Sequence, residues 1–238
     1  MCGNFGLTWE AKELKWRLDS LLAEEKIAHL EKTKDWTPLF LTKPSYKLPV
    51  VKQGAKDQGK LEFDLMPWGL RAPDWKNPST TRALVNAKAE TVFRLPSFRT
   101  PIKKTRCLAF ADYFFEPDKD TRQPWLIRFK DKRLFAFASI YSLDVHEPKS
   151  GREFPPAWAL LTTEPNDLVG GPVNHHRMPV ILTEPEDMKT WLNPEATPEQ
   201  LKTLLRPYPA DKMEAWEVSK TMYKTDGTDP SVVKPMKG

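Results

Sequence analysis

Residue 2 is a cysteine, in Met1-Cys2-Gly3-Asn4-Phe5, so loss of the initiator methionine would leave a free α-amine beside the Cys2 thiol. The small cysteine side chain is compatible with that loss. Such a 1,2-aminothiol has chemistry that no internal cysteine has. Its amine condenses with an aldehyde to an imine, and the thiol then adds to the same carbon. The product is a five-membered thiazolidine, harder to hydrolyse than a simple Schiff base. Both groups are usable near neutral pH, because an α-amine titrates near ~7.7–8 and a free thiol near ~8.5.

Five further segments carry residue types that do chemistry: Pro67-Trp68-Gly69-Leu70, Asn86-Ala87-Lys88-Ala89-Glu90-Thr91, Pro96-Ser97-Phe98-Arg99, Arg106–Glu116 and Asn174-His175-His176-Arg177-Met178-Pro179. Each also has a plain structural meaning. Trp68 reads as a core aromatic or a stacking platform, Glu116 as a strand-end carboxylate or an acid. His175 and His176 read as hydrogen-bonded imidazoles or proton carriers, and Cys107 as a buried hydrophobe. A Cys–His nucleophilic pair is chemically allowed. No zinc-ligand spacing connects Cys2, Cys107, His175 and His176, so no metal is expected.

The elements that must position these groups are short. The chain has 238 residues, 39% of them hydrophobic and 11% aromatic, enough for a sizeable core. Its 23 prolines against 10 glycines favour short elements joined by rigid turns. The Leu14, Leu18, Leu21 and Leu22 stripe predicts an amphipathic helix over 9–32, capped by Thr8. Residues 36–80 read as irregular, with 53–59 an exposed loop between two short strands. Strands are expected at Arg106–Phe115, Trp125–Phe129, Leu134–Tyr141, Trp158–Thr163 and Met178–Leu182. Helices follow, with capping boxes at Thr183–Glu186 and Thr197–Gln200. These strands are not interleaved with helices, so the fold class is α+β: a single domain over 1–224 with a mainly antiparallel, barrel-like sheet core flanked by helices. Residues 225–238 read as a loose polar tail.

No apolar run approaches the ~18 residues of a membrane span, and the start lacks the layout of a secretion signal. Two cysteines make no disulfide framework, so a reducing cytoplasm, with the nucleoid if the cell is bacterial, is the expected location. The net charge of +5 suits a polyanionic partner.

Taken in order, the N-terminus and the five segments resemble the SOS-response-associated peptidase family, whose members shield abasic sites in single-stranded DNA. Thr162-Thr163-Glu164 belongs to the same set, which spans about three-quarters of the chain. The resemblance implies that Cys2 crosslinks to the ring-opened sugar aldehyde. It also implies that Asn86 positions the N-terminus and the sugar, that Glu116 is the acid/base carboxylate, and that His175 assists opening of the deoxyribose. No cofactor is implied. For DNA, it points to Lys88, Arg99 and Arg177 on phosphates and to Trp68 and Phe98 for stacking or wedging. Gly3, Gly69 and Thr162 would be points of close approach. The partner is single-stranded DNA carrying an abasic site, met by a monomer.

This sequence departs from the family pattern at several places. Asn4 and Lys88 stand where arginine is common, which removes a bidentate phosphate fork at each. Tyr113-Phe114-Phe115-Glu116-Pro117 replaces a Gly-Trp-Tyr-Glu-Trp pattern, Tyr46–Pro49 is a shortened Tyr-Asn-x-x-Pro, and His176 stands where Asp or Asn is frequent. Two other readings stay open on the residues alone: a thiol peptidase using Cys2 with His175, and a non-covalent single-strand binder.

Overall fold

The computed structural model describes residues 2–22, 26–54, 60–73, 77 and 79–236. Two sheets carry the site. The smaller has four antiparallel strands in the order β1 (Asn4–Gly6), β9 (Tyr113–Pro117), β10 (Pro124–Phe129) and β17 (Met213–Glu217).

The larger has nine strands. Its main path runs β15 (Met178–Pro179), β14 (Ala157–Thr163), β11 (Phe135–Ser142), β8 (Arg106–Ala111), β3 (Lys47–Gln53), β4 (Leu61–Pro67) and β2 (Ile27–Ala28). Off that path, β16 (Ile181–Leu182) pairs with β11, and β7 (Asn86–Lys88) pairs parallel to β14. Two hairpins, β5 (Leu70–Pro73) with β6 (Thr81–Leu84) and β12 (Val145–Glu147) with β13 (Arg152–Phe154), stand apart. The α+β, mainly antiparallel reading holds. The barrel-like core is corrected, because both sheets are open from edge to edge.

The reason lies in the segment expected to be one strand, Arg106–Phe115. It breaks at Asp112 into β8 and β9, which belong to different sheets. A strand that changes sheets makes a corner instead of closing a barrel. Asp112 fixes the corner: its N–H donates to the Gly6 carbonyl at 2.9 Å, and its carboxylate accepts the N–H and hydroxyl of Thr8 at 2.6 and 2.8 Å. Thr8 is therefore engaged by Asp112 and does not cap the first helix. That helix, α1 (Ala11–Leu21), starts after Glu10 and is shorter than expected. The chain beyond forms β2 and a 3-10 turn at Leu30–Asp35, while the predicted continuation through 23–25 lies outside the described residues. Leu14, Leu18 and Leu22 bury as their stripe requires.

Other expectations divide similarly. The irregular 36–80 region contains the seven-residue hairpin strands β3 and β4, whose connecting residues 55–59 lie outside the described ones. Thr197 and Gln200 make the expected capping box on α5 (Pro198–Leu204). Thr183 does not cap α4 (Pro185–Leu192); its hydroxyl bonds Glu184 instead. The C-terminal stretch is docked, with Val232 buried and the Met236 N–H on the Glu217 carbonyl at 2.9 Å. Among the described residues no helix is long and apolar enough to cross a membrane.

The core centres on aromatics between the sheets. Trp68 stacks on Trp158 with centroids 5.5 Å apart, and Phe5 of β1 lies 5.2 Å from both Trp68 and Phe137. β1 is thus anchored by Phe5, three positions after Cys2. Beside Phe5, Gly6 lies under the Tyr113 ring, and a Cβ built there would fall inside that ring. Gly6→Ala should therefore destabilise the protein by about 2–3 kcal/mol, since the buried Tyr113 ring would have to shift. The double variant Gly6→Ala/Tyr113→Gly should lose less than the sum of the two singles. Chemical denaturation of the four proteins measures that coupling.

Candidate active site

Four elements converge on the N-terminus. The β1–β9 register pairs Asn4 with Phe115, so the chain preceding Asn4 runs back along Glu116 and Pro117. Asn4 fills a structural place: its side-chain amide donates to the Thr42 carbonyl at 3.0 Å. Cys2 is fully buried, with its thiol 3.6 Å from the Asn4 carbonyl oxygen.

Asn86 opens β7, held beside β14 by the Asn86–Leu160 pairing. Its side-chain N–H donates to the Cys2 carbonyl at 2.8 Å. Its Oδ1 is sealed from solvent and receives no hydrogen bond from the described residues. A buried amide oxygen without a donor costs about 1–3 kcal/mol. It is an acceptor in wait for an N–H near Cys2.

Glu116 is the next-to-last residue of β9, fully buried. His175 sits on the loop after α3 (Asp167–Gly170), and its N–H bonds the Val169 carbonyl at 2.8 Å. Its Nδ1 lies 2.7 Å from the Pro117 carbonyl and its Nε2 3.2 Å from Glu116 Oε2. A carbonyl only accepts, so Nδ1 carries the proton and Nε2 turns its lone pair to the carboxyl. Burial pushes Glu116 up to about 8, and burial above all pulls His175 down to about 4. Between those values the pair is a carboxylic acid facing a neutral imidazole, a ready proton donor. The Cys2 thiol is held well above its ordinary value, first by burial and then by the Glu116 charge.

The loop is locked to the turn after β9. Asn174, in the left-handed region at φ 56°, donates from its side chain to Asp118 at 3.1 Å and Asp120 at 2.9 Å. Its carbonyl accepts the Lys119 N–H at 3.1 Å. Residue choice alone does not reveal this role, although an Asn before two histidines is a signal for left-handed backbone.

The residues expected to face DNA divide into exposed and buried positions. Lys88 and Arg99 are exposed, and Gly3 is half-buried. Gly69 adopts φ 138°, which favours glycine, and its N–H bonds Trp158 at 2.7 Å. Trp68 and Phe98 are core residues, with Trp68 at 1% exposure and Phe98 at 6%, so neither face is open to a base. Thr162 is fully buried.

Arg177, expected on a phosphate, has internal partners. It grips Glu90 through two bonds of 2.7 and 3.0 Å, then the Thr162 carbonyl at 2.5 Å and hydroxyl at 3.2 Å. Glu90 was visible in the Asn86–Thr91 motif, but its pairing over 87 positions was not.

Cys107 is buried in β8, and burial raises its thiol. Among the described residues, no group of three or more His, Cys, Asp or Glu side chains is placed to hold a metal ion.

Cys2 ahead of β1, Asn86 at the start of β7, the buried Glu116 of β9 and the loop residue His175 thus form one cluster around Cys2. The family model for the SOS-response-associated peptidases matches residues 1–225, and the chain belongs to that family. It is 35% identical over 244 residues to the abasic site processing protein YoqW of Bacillus subtilis, covering 98% of this chain and 99% of the relative. It is 36% identical to YobE of the same organism over 227 residues, covering 92% and 94%. The fold also matches the crystal structure of a protein from Bacteroides thetaiotaomicron, with a TM-score of 0.81 and 26% identity. That match covers 99% of this chain and 100% of the other.

Proposed function

We propose that this protein processes abasic sites in single-stranded DNA by trapping them covalently on Cys2. The relatives' names support abasic-site processing. The observation that carries the mechanism is the Asn86 amide, one end on the Cys2 carbonyl and the other a buried acceptor without a donor among the described residues.

In this reading Met1 has been removed. The new α-amine donates to Asn86 Oδ1, which holds it without competing as a base. His175 and Glu116 move the proton that opens the closed hemiacetal of the sugar. The amine adds to the exposed aldehyde, giving a carbinolamine. Glu116 protonates the departing hydroxyl, which leaves as water and gives the imine. The thiol then adds across the C=N bond, its proton passing to nitrogen, and the thiazolidine closes. One chain holds all four groups, so a monomer suffices.

A Cys–His thiol peptidase fits less well. That chemistry needs a thiolate beside a protonated imidazole. Here burial raises the thiol and lowers the imidazole, so both groups stay neutral.

Intact-mass analysis after mixing with single-stranded DNA carrying one abasic site tests the proposal. The native protein should gain the mass of the DNA less one water relative to the ring-opened site, without borohydride. Cys2→Ala and a form with a blocked α-amine should gain nothing. No adduct from protein shown to lack Met1 would sink the reading.

A further inference from the structure

Trp68 connects the centre to a second region. Its indole N–H donates to the carbonyl of Val85, the residue before Asn86, at 2.9 Å. Trp68 also lines a cavity of about 290 Å³ whose walls include Pro44, Gly69, Phe154 and Pro155. That volume lies at the small end of ligand pockets, which run about 300–1,000 Å³.

Two arginines from different hairpins border this cavity and meet at one ring. Arg71 of β5 lies 4.2 Å from the Phe154 ring centre, and Arg152 of β13 lies 5.1 Å from it. Neither makes an ion pair of bridging length among the described residues. The carboxylate that Arg152 influences, Glu147, is engaged by the Thr81 N–H at 2.6 Å and the Ser150 hydroxyl at 2.5 Å. Two guanidiniums held on one ring repel each other, and an anion between them removes that cost. Guanidiniums match phosphate geometry, while prolines, glycine backbone and an aromatic edge suit the flat apolar face of a base.

We propose that this cavity is a second subsite for single-stranded DNA. It takes a nucleotide of the same strand whose abasic sugar lies at Cys2, with phosphate on Arg71 and Arg152 and base against Phe154. The inference rests on the proposed function and assigns the strand path that Trp68, Phe98 and Arg177, all internal, do not provide.

The test is fluorescence anisotropy with an undamaged single-stranded oligonucleotide over a salt series, in a Cys2→Ala parent that cannot crosslink. Arg71→Gln/Arg152→Gln should weaken binding roughly tenfold at moderate salt. It should also lower the slope of log K against log salt by about 0.7, for the one phosphate that both arginines hold. Phe154→Leu, which keeps apolar bulk but no ring, should weaken binding at least about fivefold. Melting curves verify folding, and Arg152→Glu, at an exposed position, serves should the double variant fail to fold.

Affinities and slope equal to the parent's would overturn the subsite. So would equal losses for inorganic polyphosphate with Phe154→Leu silent, which marks a general anion patch. If the native protein forms the Cys2 adduct while these variants bind like the parent, only the subsite falls. If the parent binds no single strand and the native protein forms no adduct, the proposed function falls as well.

Discussion

Glu116→Gln should slow thiazolidine formation by roughly a hundredfold or more, within the 10²–10⁴ range for losing a positioned acid or base. The amide keeps the carboxyl's shape but has no exchangeable acid proton to give the carbinolamine. Single-turnover adduct formation, quenched in time and resolved on denaturing gels, measures it. The native rate should fall above about pH 8, where Glu116 loses its proton. It should also fall as pH drops below about 8 and the α-amine protonates, since that group titrates near ~7.7–8. The variant should lose the alkaline decline that Glu116 causes and keep the acid one.

The same substitution should stabilise the fold, and the sign follows from linkage. Folded Glu116 keeps its proton up to about 8, whereas the unfolded carboxyl releases it near its ordinary 4.5. Between those values the folded state binds the extra proton, so its stability falls as pH rises through the window. Gln carries no such penalty. Its advantage over Glu should be absent near pH 4 and grow to an order of a few kcal/mol by pH 9, measured by denaturant melts at both pH values. A rate that falls while stability rises identifies a carboxyl kept for chemistry. An unchanged rate would remove Glu116 from the proton-transfer role.

What the sequence makes legible here is mostly local. The strands after 124 show in their apolar runs, and the Thr197 capping box closes over three residues as its spacing demands. Pairings across the chain were hidden. Asp112 looks like one polar residue in an apolar strand, and only its bonds to Thr8, 104 positions away, reveal a corner between sheets. Arg177 beside two histidines looks like a phosphate ligand until Glu90 occupies it. Trp68 beside Gly69 suits either a platform or a core, and the choice is made by Trp158, which no local pattern couples to it. The motif that suggested the family therefore mixes groups placed for chemistry with groups that hold those in place.

Arg106 is the clearest of the second kind, and its loss should have the largest effect on stability. It opens the Arg106–Glu116 segment yet is buried at 4% exposure. Its Nε donates to the Trp191 carbonyl at 2.6 Å, and Nη1 donates to the carbonyls of Ile102 and Lys103, each at 2.8 Å. Nη2 donates to the Asn193 carbonyl. These acceptors lie at the C-terminal ends of α4 and of α2 (Pro101–Lys104), where last-turn carbonyls have no partners within the helix. Each helix end carries about half a negative charge, strongest in longer helices, so one guanidinium serves both. Arg106→Met should cost about 3–5 kcal/mol, because four carbonyls, two of them on the buried residues Ile102 and Trp191, lose a charged donor together. At about 2–4 °C per kcal/mol for a chain of this size, melting should drop by roughly 10 °C. Arg106→Lys should recover only part, since an ammonium has three donors on a compact head and cannot span both helix ends. Below its melting range the Met variant should still form adduct at close to the native rate, opposite to Glu116→Gln. A slow but fully stable Arg106→Met protein would instead place this arginine in the chemistry or on the DNA.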